Sequence, residues 1–213
     1  MTNDSILNNV VDEMKRYGSI GFKNWYTDAC ALAKSYDIDL DNMRYTKASK
    51  NKIRCIVRET FIKNWHNNLN NIRDNPILRV YSLYKYGFKM ENHLSLVTNP
   101  KYRNAISKLR CNSHLLHIER GRHTKPKTPI EKRTCHLCNV LEDEIHFITE
   151  CMLYECERRF LYQKVNSYDY IFEHLSNQEK FIYLLRSANS SVLSHLGKYI
   201  YDSFMKRDSS MMK

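Results

Sequence analysis

The chain has 213 residues, with 34 Lys and Arg against 23 Asp and Glu, giving a net charge of +11. Its 42% hydrophobic content and mean hydropathy of -0.61 fit a folded, water-borne chain, and no apolar run approaches the roughly 18 residues of a membrane span. Only 5 glycines occur, so a glycine-rich phosphate loop or dinucleotide fold has little raw material, and neither motif is present.

Met1 to Asn9 lacks both a basic n-region and an apolar h-region. The expectation is therefore an intracellular protein of the cytoplasm or nucleus, without a membrane partner. Helices are expected over 5–17 and 21–35. Ile53, Ile56, Val57, Phe61, Trp65, Leu69 and Ile72 recur three and four residues apart, which predicts a long amphipathic helix over 46–72. Lys50, Lys52, Arg54, Arg58 and Lys63 fall partly on its other face. Further helices are expected near 76–88, 100–110, 152–166 and 178–186, with Pro76 and Pro100 placed where a helix can begin. Val192, Leu196, Tyr199, Ile200 and Phe204 mark a C-terminal helix capped by Asn189 or Ser190.

Charge is distributed unevenly along this scaffold. Residues 98–134 hold 10 basic side chains against Glu119 and Glu131, whereas 135–213 is slightly acidic. Clustered charge of one sign creates a local positive potential, which an even spread would not. Arg110, Arg120, Arg122, Lys125, Lys127, Lys132 and Arg133, with His123, are candidates to track an RNA or DNA phosphate backbone. Tyr102 and Trp65 are aromatic candidates for base stacking. The plainer reading is a solvated charged face. Gly121 to Pro129, with two prolines, reads as a linker.

Seven cysteines without an export signal point to thiols that are free or on metal. Cys30, Cys55 and Cys111 stand apart, but Cys135, Cys138, Cys151 and Cys156 fall within 22 residues. Cys135, Cys138, His146 and Cys151 form a C-x2-C-x7-H-x4-C pattern. Two thiolates in a tight turn suit one tetrahedral zinc, and a helix starting near His146 would present His146 and Cys151 about one and a half turns apart. Four protein ligands leave no open position, so the zinc would be structural, contributing roughly 10–16 kcal/mol of apparent folding energy. His136 and Cys156 stand close enough in sequence to replace a ligand, and buried incidental thiols are the metal-free alternative. Cys111, His114 and His117 do not share one helix face and make a poor second site.

No catalytic residues are predicted. Glu142, Asp143 and Glu144 read as a solvated turn or as hydrogen-bond partners of a histidine ligand. Ser113 reads as a helix N-cap, with His114 hydrogen-bonded into the zinc module, and Glu119 is spaced to pair with Arg122. The whole is expected to be mainly α: a helical N-terminal part (1–97), a basic connector (98–134), and a small zinc-stapled module with C-terminal helices (135–213).

The run Leu109-Arg110, Ser113-His114, Glu119, Gly121-Arg122, Lys125-Pro126, Arg133, Cys135, Cys138, Glu142-Asp143-Glu144, His146-Phe147, Cys151 and Tyr154 resembles a known tail. It is similar to the C-terminal zinc-binding region of non-LTR (LINE-type) retrotransposon reverse transcriptases, most specifically over residues 109–158. The resemblance casts 1–97 as the region following the polymerase. It implies a zinc- and nucleic-acid-binding tail that helps hold template RNA or target DNA, with a reverse transcriptase domain as a partner in trans. No adjacent Asp-Asp occurs, and 152–213 contains no proline, so neither the polymerase turn nor the Pro-Asp nuclease signature of that group is present. The alternatives are a zinc-stapled protein-interaction module and an inactive transposon remnant.

Overall fold

Side-chain caps open several of the longer helices in the computed structural model, which describes residues 3–40, 46–71 and 79–211. The fold is mainly α, and no β-strand occurs among the described residues beyond the isolated antiparallel bridge Thr134–Leu141. Nor, among those residues, is any helix long and apolar enough to cross a membrane. The chain divides into two units, Met1–Asn68 and Leu69–Lys213. These units do not follow the expected boundaries at 97 and 134.

In the first unit, α1 (Asn3–Ser19) is followed by α2 (Trp25–Lys34). Asn24 caps α2, its Oδ1 accepting from the Tyr26 and Thr27 amides while Thr27 Oγ1 accepts from the Asn24 amide. The Asn24 side-chain amide also donates to Met14 O at 2.9 Å, tying α2 back to α1. The third helix, α3 (Lys47–Asn70), lies close to the expected span, with Thr46 and Ser49 exchanging bonds at its start. Its apolar stripe is only half-buried at Ile53, Ile56, Val57 and Trp65, and exposed at Phe61. Ile72 and the Asn75-Pro76 start lie outside the described residues.

The second unit is organised by α6 (Pro100–Arg110) packed along α11 (Ser190–Met211). Asn99 caps α6 by accepting from the Lys101 amide, with Pro100 at the first position, where its missing N–H costs nothing. Asn189 caps α11 by accepting from the Ser191 amide at 2.8 Å, which decides between the two expected caps. Gly197 lets these helices approach closely. A Cβ there would lie 2.6 Å from Tyr102 Cβ and 2.9 Å from the Tyr102 carbonyl oxygen.

Around this pair stand α8 (Glu144–Thr149), α9 (Glu155–Asn166) and α10 (Asn177–Arg186), with α9 against α11 and α10 against α8. Phe147, Ile148, Leu161, Phe181, Leu196 and Ile200 are among the fully buried side chains of one continuous core. The helix expected near 76–88 is confined, among described residues, to α4 (Tyr81–Tyr84), and α5 (Asn92–Leu96) and α7 (His117–Arg120) are similarly short. Ser113 is not a cap, since α7 begins after Leu116 without a side-chain cap.

The predicted linker is instead a loop closed on itself within this unit. The Thr128 amide donates to Gly121 O, and buried Arg133 donates to Thr128 O and Ile118 O. Its prolines and lysines create an irregular surface loop, but the chain on both sides enters the same core. Composition alone cannot separate these two cases.

Candidate metal centre

Three local devices bring the four predicted ligands together. The Thr134–Leu141 bridge opens a tight turn in which the Cys135 amide donates to Val140 O and the Asn139 amide donates to Cys135 O. Asn139 takes the left-handed conformation the turn requires, at φ 59°, which asparagine tolerates better than most residues. That turn presents Cys135 and Cys138. Asp143 then caps α8 by accepting from the His146 amide at 2.8 Å, setting His146 on the first turn of the helix. The helix ends at Thr149, so Cys151 is not on the helix as expected. The Cys151 amide instead donates to His146 O at 2.9 Å, closing a turn directly after the helix.

The resulting geometry is that of one shared ion. The ligand atoms of Cys135, Cys138, His146 and Cys151 all lie within 4.8 Å of one another. Cys135 Sγ and Cys151 Sγ stand 3.8 Å apart. Two sulfurs each about 2.3 Å from a tetrahedral centre are separated by about 3.8 Å, whereas a disulfide would hold them near 2.05 Å. His146 Nε2 is buried without a hydrogen-bond partner, while Nδ1 faces Glu150 Oε2 at 3.5 Å. A carboxylate on Nδ1 fixes the tautomer that leaves the Nε2 lone pair for a metal. The Met152 amide donates to Cys138 Sγ at 3.5 Å, a bond that favours the thiolate.

Cys135, Cys151 and His146 are buried and Cys138 is half-buried. Burial first, then the neighbouring Cys135 and Cys138, push the Cys151 thiol above its ordinary value. Thiolates this close and this dry need a compensating cation. The donor set can hold a metal ion, and three sulfurs with one imidazole suit zinc rather than magnesium or calcium. Neither His136 nor Cys156 joins the cluster: both are exposed, and the His136 ring meets His117 edge-on at 4.6 Å.

Of the three acids running from the cysteine turn into α8, two are taken out of solvent and Asp143 is half-buried. Glu142 is buried and accepts from Arg207 of α11 and from the His117 amide. Glu144, also buried, bonds Arg79 at 2.7 Å and His114 Nε2 at 3.2 Å. Burial alone would push the Glu144 carboxyl up, but His114 and Arg79 outweigh it and hold it below its ordinary value. Burial is the larger effect at Asp143, whose carboxyl is raised. These acids fasten the metal-binding segment to the helices around it. Sequence reasoning anticipated the His114 bond but not Arg79 or Arg207, whose partners lie more than 60 residues away.

The basic residues separate into two groups. Arg110 is buried, paired with Glu91, donating to Leu185 O at 2.8 Å and lying 4.3 Å over the Tyr84 ring. Arg133 is spent on backbone carbonyls, as described above. Both are therefore internal ties, out of reach of a phosphate backbone, because a guanidinium satisfies buried carbonyls as readily as phosphates. Arg122 pairs with Glu119 at 3.2 Å, as its spacing anticipated. Arg120, Lys125, Lys127, Lys132 and His123 remain exposed. No protein-family model, curated protein or solved structure matches the chain.

Proposed function

We propose that this chain is a zinc-stapled nucleic-acid-binding module, similar in role to the tail of a LINE-type reverse transcriptase. Zinc on Cys135, Cys138, His146 and Cys151 holds the segment rigid, and Arg120, Arg122, Lys125, Lys127 and Lys132 contact phosphates of RNA or DNA with little regard for base sequence. The single observation supporting this reading is the position of the exposed basic loop. It runs directly into the first metal ligand and is pinned at its base by buried Arg133. A rigid cationic loop loses less entropy on binding than a free basic tail. A polymerase domain in trans fits as a further partner.

The test is a salt titration of labelled RNA and DNA with zinc-loaded protein. Each neutralised phosphate contributes about 0.7–0.9 to the slope of log affinity against log salt. Replacing Arg120, Lys125, Lys127 and Lys132 with glutamine should lower that slope by roughly 3 and weaken binding to every sequence alike. An unchanged slope rules the reading out.

A second reading, a protein-interaction surface on the zinc module, is favoured by the exposure of Leu137 at 57%, Ile130 at 58% and Met152 at 58%. It predicts zinc binding with no salt-sensitive retention of nucleic acid.

A further inference from the structure

A second feature of the Leu69–Lys213 unit lies away from the four ligands. Between α6 and α11, closed at one end by the turn after Arg110, is a cavity of about 290 Å³. Its wall on the α11 side is formed by half-buried Tyr201 and Phe204 with exposed Met205 beside them. The Phe204 ring is held in a stack, 4.8 Å from Phe147 on one contact and 6.4 Å from His114 on another, with interplanar angles near 20°. Its α6 side carries exposed Lys101, Asn104 and Lys108. Lys101 Nζ sits 5.9 Å from the Tyr201 ring centroid. None of the residues lining the cavity is acidic.

We infer that this cavity takes a single unpaired nucleobase, stacked on Tyr201 with Phe204 beside it, and with the flanking phosphates on Lys101 and Lys108. The inference rests on the nucleic-acid reading above and deepens it by naming single-stranded nucleic acid as the ligand. Aromatic floors accept any base by its π-face, and cations beside them track the backbone. Lys101 and Lys108 are seven residues apart on one helix, about two turns or roughly 10 Å, so they flank the cavity rather than crowd one point. Asn104 and Ser113 at the rim offer an amide and a hydroxyl to a base edge. The volume lies at the small end for ligand cavities, suited to one nucleoside rather than several side chains of a folded partner.

Charge decides against an apolar peptide anchor. A cavity built for leucine or phenylalanine has no use for two lysines without a carboxylate between them, whereas a nucleotide needs both the flat floor and the cations. The metal centre bears on this site through His114, whose Nε2 is bonded to Glu144 on α8 while its ring stacks on Phe204. The platform is thereby braced from the zinc-bearing segment.

The experiment compares anisotropy binding of two labelled 12-mers to the zinc-loaded full chain, an oligouridylate and an abasic strand of equal phosphate count. Tyr201→Leu should weaken the oligouridylate about 5- to 160-fold, the range of one lost base stack, and leave the abasic strand unchanged. Tyr201→Phe should match the native chain on both strands. Lys101→Gln with Lys108→Gln should weaken both strands and lower the salt slope by about 1.4. Native protein that binds both strands equally, or a Tyr201→Leu chain that binds like the native one, overturns the base pocket. In either case the loop reading stands if the Arg120, Lys125, Lys127 and Lys132 variant still loses both strands. Failure of the native chain to bind either strand overturns both readings. Self-association abolished by Tyr201→Leu also overturns the inference, assigning the cavity to a second copy.

Discussion

Arg207 of α11 donates to both carboxylate oxygens of Glu142, and the two side chains are 4% and 3% exposed. This pair joins the C-terminal helix to the segment between the cysteine turn and His146. Removing one member of a buried ion pair leaves the other charge stranded in a dry site, at a cost of about 3–5 kcal/mol. Arg207→Met should therefore destabilise the Leu69–Lys213 unit by that amount in urea unfolding. Adding Glu142→Gln should recover part of it, because glutamine removes the stranded charge yet still accepts from the His117 amide. A double variant less stable than Arg207→Met would contradict this account.

Metal content separates the four ligands from their sequence neighbours. Cys135→Ser or His146→Asn should reduce bound zinc well below one per chain and lower the melting temperature, as should chelation of the native protein. His136→Asn and Cys156→Ser should keep both close to native, since neither side chain joins the cluster. Cobalt in place of zinc, read by its thiolate charge-transfer and d–d absorption, reports whether the site is tetrahedral.

His93 supplies a pH dependence independent of the metal ligands. Burial, reinforced by Arg110, pushes its imidazole down to about 4 from the ordinary 6.5, and Nε2 is 2.9 Å from Ser107 Oγ. The unfolded chain takes up a proton near pH 6.5 and the folded chain only near 4. The stability associated with neutral His93 is therefore complete above pH 6.5 and lost as pH falls from 6.5 toward 4, by about 2–3 kcal/mol. His93→Gln lacks this titration. The stability difference between native and variant should shrink across that window, whereas ligand protonation affects both proteins alike.

Gly197→Ala tests the α6–α11 contact. In an exposed helix the change would stabilise by about 1 kcal/mol. Here the new methyl group would meet Tyr102 Cβ and the Tyr102 carbonyl oxygen, both closer than 3.0 Å. Backbone cannot yield as a flexible side chain does, so overpacking of about 1–3 kcal/mol should win and the melting temperature should fall. A rise would show that the helices separate without strain.

Legibility in the sequence followed the range of the interactions. Helix starts governed by one or two neighbouring residues were readable: Asn99-Pro100 opens α6 and Asn189 caps α11 because a cap is a bond across two or three residues. The ligand set was readable for the same reason, since C-x2-C and H-x4-C each close within three to five residues of chain. Short apolar patterns were less secure. The region near 76–88 yields only α4 among described residues, because its residues are held by partners elsewhere; Arg186, for example, donates to Tyr84 O. Composition also misread Gly121 to Pro129 as a linker, because proline and lysine mark exposure rather than independence.

What the sequence by itself determined, then, is the helical class, the excess of positive charge ahead of the cysteines, and which four side chains can share an ion. Only the tertiary structure decided that Arg110 and Arg133 face inward onto carbonyls while Lys125, Lys127 and Lys132 face water, and that Glu142 and Glu144 are buried ties. The physical reason is that a charged side chain has the same local signature whether it is solvated or paired. Its fate depends on a counter-charge or carbonyl delivered from a distant part of the chain, such as Arg207 to Glu142, and no pattern within a helical turn encodes that delivery.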